Sequence, residues 1–529
     1  MRTRYSDGPF APLNGGPPAS HYDFIVCGAG TSGCVVAGRL AENRDVRVLL
    51  VEAGGDDEHP NVLEPGSWPL NLGGERDWNF SGEANPNLNQ RKMPLNMGRG
   101  LGGGSSINVM VWARGHKNDW EDFAAESADP AWNYASVLKI YQRVEDYWGL
   151  ADSLRRGAGG PVHVAPARGA QPIAHAMLDA ARQMGVPVFD NPNGEMMEGR
   201  GGAAINDLIV KEGRRHSIYR AYVHPRRRQP NLTVLTNTLV SRVVFEGKRA
   251  VGIEAVVDGL VRRFYADCEV ILSLGAVNTP KVLMQSGVGP EGELRRHCIP
   301  VIQHLPGVGA NHQDHVSCAV IFEYEKPQAV GYGGSEATLY WSSDSTLALP
   351  DMFHCQVEFP VPSADTAVQG VPTHGWTMFA GLAHPQSRGR ITLSGPGPND
   401  APIIRPNTFS HPADVQCAIE NIRFVQQLGA QPAFKGLVKG ERMPGKLSAE
   451  ELDQYLRNAA VTYWHQSCTA KMGRDAMSVV DGQLRVYGVE GLRIADASIM
   501  PHITSGNTMA PCVVIGERAV DEIRSAHRA

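Results

Sequence analysis

No stretch of this 529-residue chain approaches the ~20 consecutive apolar residues of a membrane-spanning helix. Its first 20 residues hold Pro, Gly and Ser but no apolar core of signal-peptide length. Neither charge is in excess. Fifty Lys and Arg against 55 Asp and Glu leave −5, which gives no electrostatic case for nucleic acid. The compact basic run Arg226-Arg227-Arg228 reads as a solvated loop. Nine scattered cysteines form no Cys-x-x-Cys pair, so a disulfide frame and a zinc site are both disfavoured. The G-x-S-x-G elbow of a serine hydrolase is missing too. These absences leave a soluble cytoplasmic enzyme as the default, with no metal, nucleic-acid partner or membrane span expected and the oligomeric state unmarked.

Glycine is what the chain has in plenty: 58 of 529 residues, roughly 11% against a typical ~7%. Such an excess suits tight turns and close backbone approaches. Tyr22 to Cys27 is an apolar run of strand length, Thr31 to Leu40 has helical spacing, and Arg47 to Val51 is a second strand. This is a βαβ start. Between strand and helix lies Gly28-Ala29-Gly30-Thr31-Ser32-Gly33, a G-x-G-x-x-G loop. Gly28 permits the turn, Gly30 admits a pyrophosphate, Gly33 lets helix pack on strand, and the helix N-terminus faces the phosphates. Glu52, at the end of the second strand, is placed to bind a ribose diol, and Ala53-Gly54-Gly55 follows it.

The Gly/Pro/Asn-rich region from Gly54 to Gly104 is too long for a connector and is expected to wrap over something. Residues 232–274 read as a β-meander with turns at Glu246-Gly247-Lys248 and Asp258-Gly259. Val270 to Leu274 reads as a further buried strand. Thr279-Pro280 reads as the N-cap and first turn of a helix. The region 310–460 mixes alternating strands with loops and suits a second domain.

Two longer segments resemble the signatures of the glucose–methanol–choline (GMC) oxidoreductases: Gly98-Arg99-Gly100-Leu101-Gly102-Gly103-Gly104-Ser105-Ser106-Ile107-Asn108, closed by Trp112, and Gly275 to Gly289. The resemblance runs from about 22 to 525. It implies an α/β fold: a Rossmann-like FAD-binding domain (21–154, 207–309 and 462–529) and a discontinuous substrate domain on a β-sheet (155–206 and 310–461), after a flexible arm (1–20). It also implies FAD contacts at Arg99, Gly103, Gly104, Ser105 and Asn108, at Val243 through its backbone, and at Asp496, Ala497 and Thr508. The small residues after Leu101 would let main chain pass close to a flat ring, with the Asn108 amide at its polar edge. Some relatives bind the flavin covalently through a histidine at the position of Ile107. Isoleucine cannot form that bond, so non-covalent FAD is expected.

Tyr463-Trp464-His465 with Gly473, and Ile494 to Pro501 with Asn507-Thr508, resemble the family's catalytic segments. His465 is then the base that takes the alcohol proton, an imidazole being suited to this by its near-neutral pKa. Asn507 is the donor to the developing alkoxide. The group His312-Gln313-Asp314-His315 reads as a structural turn of the family rather than a metal cluster, and His502 has no assigned role. Choline is disfavoured, because Val316-Ser317 follows His315 where choline oxidases carry an acid. Trp464 suggests stacking on a flat substrate. The expected reaction is oxidation of an aryl, furanic or similar small primary alcohol to the aldehyde, with dioxygen as acceptor. A dehydrogenase passing electrons to a quinone-type acceptor, which Tyr463 would favour by crowding oxygen, and a non-redox FAD-containing lyase stand as alternatives.

Overall fold

A computed structural model of the chain describes residues 18–527; the arm expected over 1–20 falls, except for 18–20, outside them. Two seven-stranded sheets organise the molecule. In the first, β1 (His21–Cys27) lies beside β2 (Val48–Val51), with α1 (Thr31–Leu40) as the crossover. The strand Leu232–Leu235 pairs in parallel with the outer side of β2, and Leu260–Leu272 pairs in parallel with the inner side of β1. Ile25, Val26, Leu49 and Leu50 are fully buried. Continuous apolar strands are what a parallel sheet covered on both faces requires.

Three sequence readings change here. Leu232–Leu235 is not part of the meander. The meander is Leu239–Glu246, Arg249–Val257 and Leu260–Leu272. Val270–Leu272 is not a separate strand either. It is the end of a 13-residue strand whose first half is hairpin and whose second half is central parallel sheet. Thr279-Pro280 does not start a helix. The helix spans Gly275–Gln285 and holds Pro280 inside it. A proline there leaves the Ala276 carbonyl without its helical donor, and Thr469 Oγ1 donates to that carbonyl instead at 2.6 Å. Thr279 Oγ1 donates to Asp496 at 2.6 Å. The tertiary partners of a mid-helix proline are invisible in local sequence.

The second sheet is antiparallel, in the order Val438–Met443, Val316–Tyr324, Gly375–Leu382, Met352–Val357, Ala337–Trp341, Gly201–Ile205. Side chains alternate across it. Cys318, Val320 and Phe322 pack with Trp376 and Met378 under the helices Pro412–Gly429 and Pro172–Gln183. Ala319, Ile321, Val357 and Phe379 point the other way and pack with Val461 and Tyr463. The excursion Gly54–Gly104 fills the space between. It is pinned where Leu101 N donates to Gly55 O (3.0 Å) and Gly102 N to Ala29 O (2.7 Å). Farther out, Trp68 Nε1 donates to Gly333 O at 2.7 Å.

That last bond docks the excursion on a loop held by two buried glutamates. Glu358 accepts from Gly331 N and Glu336 from Gln171 N, each at 2.6 Å, and the two carboxyls lie against one another. Burial and the neighbouring Glu336 push the Glu358 carboxyl up to about 8. A raised acid favours the closed loop fully below the ordinary glutamate pKa of ~4.5 and loses that contribution as pH climbs through 8. Amide exchange at residues 331–334, corrected for its intrinsic rate, is expected to accelerate between those limits. It should stay flat in Glu358→Gln; an equally steep response in that variant would remove the carboxyl pair as the cause.

Candidate active site

One continuous cavity runs from the β1–α1 turn to His465 and Asn507. At the turn, Gly28 has φ +95°, and a Cβ on it would lie 2.4 Å from Ser273 O. A Cβ on Gly33 would lie 1.9 Å from Gly28 O. At both positions the protein's own packing excludes a side chain, and Gly28 also lines the cavity. Gly30 and Gly104 differ: the nearest atom to a Cβ on Gly30 is 4.0 Å away, and Gly104 has none within 4 Å. Both line the cavity. Glycine is thus present where the protein itself has room for more, which is what close approach of a ligand demands. No side chain caps α1, which begins on Gly30.

Glu52 lies at this end but is heavily engaged. Its carboxylate accepts from Ala29 N (2.9 Å), Gly54 N (2.8 Å) and Gly100 N (3.1 Å). It therefore ties the dinucleotide turn to both ends of the Gly54–Gly104 excursion, beyond any contact with a ribose. Ala53, Thr31, Ser32, Gly103, Ser105, Asn108, Asp496, Ala497 and Thr508 also line the cavity. Three residues marked in the sequence do not. Gly33 sits behind the turn. Arg99 is exposed, with its guanidinium over the Trp78 ring at 5.3 Å. Val243 gives its N–H to Ser286 Oγ at 2.8 Å, and Val240 lines the cavity in its place. The cavity meets the chain at the start of this strand, Thr238 to Val240, and an apolar strand does not reveal which stretch of it borders a ligand. Asp496 is also a brace: it accepts from Gly275 N (3.0 Å), Ser498 N (2.8 Å) and Thr279 Oγ1.

At the far end the tautomers follow from the partners. His315 Nε2 lies 3.0 Å from Ala383 O. A carbonyl only accepts, so Nε2 carries the proton and Nδ1 of His315 is an acceptor. His465 Nδ1 lies 2.8 Å from that atom and must donate to it. His465 Nε2 is left as an acceptor, its lone pair facing Asn507 Nδ2 at 3.3 Å and the cavity. Burial holds the His465 imidazole down at about 3, and His315 is lowered by burial and by His465. The pair is neutral and set to accept one proton at Nε2.

The segment bearing His465 is clamped by Asp314, which accepts from His465 N (2.8 Å), Gln466 Nε2 (2.9 Å) and Thr462 Oγ1. Thr462 Oγ1 accepts in turn from Trp464 N at 2.7 Å. These bonds hold Trp464 at φ +60°, a costly conformation for a non-glycine residue and one characteristic of functional sites. Within the group at 312–315, Asp314 and His315 hold His465 in place. Nothing local in the sequence tells that Asp314 and His315 meet a residue about 150 positions away. Among the described residues no three His, Cys, Asp or Glu side chains are grouped to hold a metal. His502 is half exposed, 3.9 Å from Glu126, and does not line the cavity.

Around His465 the cavity is lined by Cys355, Val357 and Phe379 of the second sheet, by Trp68 of the excursion, and by Tyr463 and Trp464 of the same segment as the histidine. Trp464 meets Trp68 edge to face, with centroids 6.5 Å apart, and donates to Asn96 Oδ1 at 3.0 Å. Tyr463 spends its hydroxyl on the Phe353 and Phe379 carbonyls. The carboxylates lining the cavity are Glu52 and Asp496, neither among these residues around His465.

The profile for the amino-terminal part of the GMC oxidoreductases matches residues 22–317, and that for the carboxy-terminal part matches 385–516. The chain is 37% identical to the mitochondrial choline dehydrogenase of Mus musculus, covering 95% of this chain and 89% of that one. It is 36% identical to the oxygen-dependent choline dehydrogenase of Pseudomonas aeruginosa, covering 96% and 95%. Among solved structures, pyridoxine 4-oxidase from Mesorbium loti superposes with a TM-score of 0.91 at 30% identity, covering 96% of this chain and 99% of that one.

Proposed function

We propose that this chain, which belongs to the GMC oxidoreductase family and binds FAD, oxidises a small primary alcohol, aryl or furanic in preference to cationic, to the aldehyde. The observation that carries this reading is the neutral His315–His465 pair, with its one lone pair aimed at Asn507 and the cavity. When bound, FAD supplies the hydride acceptor. Gly28, Gly30, Thr31 and Ser32 would hold its pyrophosphate, and Asn108 would meet the ring. Ile107 leaves it non-covalent. The substrate hydroxyl gives its proton to His465 Nε2, and Asn507 Nδ2 donates to the oxygen as its charge grows. Asp314 keeps the base in place, and the aromatic wall excludes water. We retain the division into 21–154, 207–309 and 462–529 for the cofactor, and 155–206 and 310–461 for the substrate.

Dioxygen is the proposed acceptor. A second reading, a dehydrogenase with a quinone-type acceptor, is favoured by Tyr463 beside the base and by the names of the choline dehydrogenase relatives. Against choline itself, no carboxylate lines the cavity beside His465 to balance its charge, the lining carboxylates being Glu52 and Asp496. Anaerobic addition of benzyl alcohol, hydroxymethylfurfural and choline to the yellow protein separates these readings. Bleaching by the flat alcohols at least tenfold faster than by choline, then recovery in air with stoichiometric peroxide, is expected. Faster bleaching by choline overturns the substrate, and sluggish recovery in air moves the acceptor to a quinone.

A further inference from the structure

Arg215 is wholly buried, and no carboxylate balances it among the described residues. Other buried arginines have acids: Arg114 and Arg156 share Glu145, Arg156 also meets Asp207, and Arg493 meets Glu269. Arg215 has only neutral oxygens. Its Nε donates to Val62 O at 2.8 Å, and its Nη1 donates to Ser105 O at 3.2 Å and to Asn108 Oδ1 at 2.8 Å. Nη2 has no partner. A buried cation without a counter-ion is costly, and proteins rarely keep one that does no work. Burial pulls its pKa down to about 9, so it is still protonated at neutral pH.

Two of its three acceptors belong to Ser105–Asn108, the stretch that lines the cavity. Asn108 Oδ1 also accepts from Met110 N at 3.0 Å, which uses both its lone pairs and fixes which way the amide points. Asn108 Nδ2 is left towards Met509 Sδ, at 3.1 Å, and the cavity. A thioether is a weak acceptor, so this N–H group has bonding capacity to spare. A cation on the oxygen of an amide strengthens the amide's N–H as a donor.

We propose that Arg215 is a positioning residue for the flavin ring: its guanidinium orients and polarises the Asn108 amide, whose N–H stabilises negative charge on the ring. The proposal rests on the assignment of FAD to this cavity. Sulfite tests it without turnover, because sulfite bleaches bound flavin in proportion to how well negative charge on the ring is stabilised. FAD content is measured first, by visible absorbance. A colourless wild-type protein that cannot be reconstituted would reject the cofactor site and leave Arg215 out of it.

In yellow protein, Arg215→Gln is expected to weaken sulfite binding at least tenfold, equivalent to ~30 mV in a two-electron potential. Arg215→Lys, which keeps the charge, should stay within about threefold of wild type. A merely structural role would move neither quantity in a variant that still holds FAD. Arg215→Gln binding sulfite like wild type, or Arg215→Lys falling as far as Arg215→Gln, overturns the proposal. If Arg215→Gln is not recovered folded, Asn108→Ala decides: it leaves the guanidinium in place and removes only the amide. A tenfold loss there supports the relay, and unchanged sulfite affinity overturns it.

Discussion

Replacing His465 by alanine is expected to leave a yellow, folded protein that alcohol bleaches about 10²–10⁴-fold more slowly, the usual contribution of a positioned base. The imidazole lines the substrate end of the cavity, remote from the β1–α1 turn, and its loss leaves the dinucleotide loop untouched. Stopped-flow bleaching under nitrogen reads the chemical step directly, and bleaching at the wild-type rate would remove His465 as the base. The pH profile carries a second signature. A base works when neutral. With the folded His465 pKa lowered to about 3 by burial, the acid-side fall in bleaching should lie well below the ordinary histidine range near 6.5. The neighbour predicts a graded effect. Without His315, the proton on His465 Nδ1 loses its acceptor, the two tautomers become available, and the rate should fall while FAD stays bound.

Two glycines three residues apart should fail in different ways. Gly33→Ala places a Cβ 1.9 Å from a carbonyl of the same turn. Overpacking of this kind costs about 1–3 kcal/mol or more, and the expected product is poorly folded and colourless. Gly30→Ala meets no protein atom nearer than 4.0 Å. It should fold with an unchanged circular dichroism spectrum and a melting temperature close to that of the wild-type apoprotein, yet bind FAD at least tenfold more weakly. The added methyl group stands in the space proposed for the pyrophosphate. Equal FAD affinity in Gly30→Ala and wild type would place the cofactor elsewhere, whatever Gly33→Ala does.

Local sequence carried the dinucleotide turn because every part of it is contiguous: strand, three glycines, helix, acid. Residues 21–52 needed no distant partner to be read. The catalytic segments were legible through their resemblance to a family, and His465 and Asn507 do meet at 3.3 Å. Failures came where long-range contact overrides the local signal. Pro280 looked like a helix start because Thr469, 193 residues along the chain from the Ala276 carbonyl it serves, could not be seen to replace the missing hydrogen bond. Leu232–Leu235 looked like meander because adjacency in sequence does not tell a crossover from a hairpin. Val243 and Val240 are both strand valines, and only the place where the cavity meets the strand distinguishes them. Asp314 and His315 lie about 150 residues from the base they support, so their purpose was hidden even though their chemistry was plain.

The second sheet writes two independent texts on one set of strands. Even-numbered positions of Val316–Tyr324 lock into the helices, Ala319 and Ile321 back the opposite face, and Cys355, Val357 and Phe379 of the next two strands line the cavity. A change at Cys355 or Val357 alters what the wall admits while the helix-packed layer stays intact. If this wall contacts substrate as proposed, the pocket can be re-cut, by selection or by design, at little expense to the helix-packed core that holds the sheet.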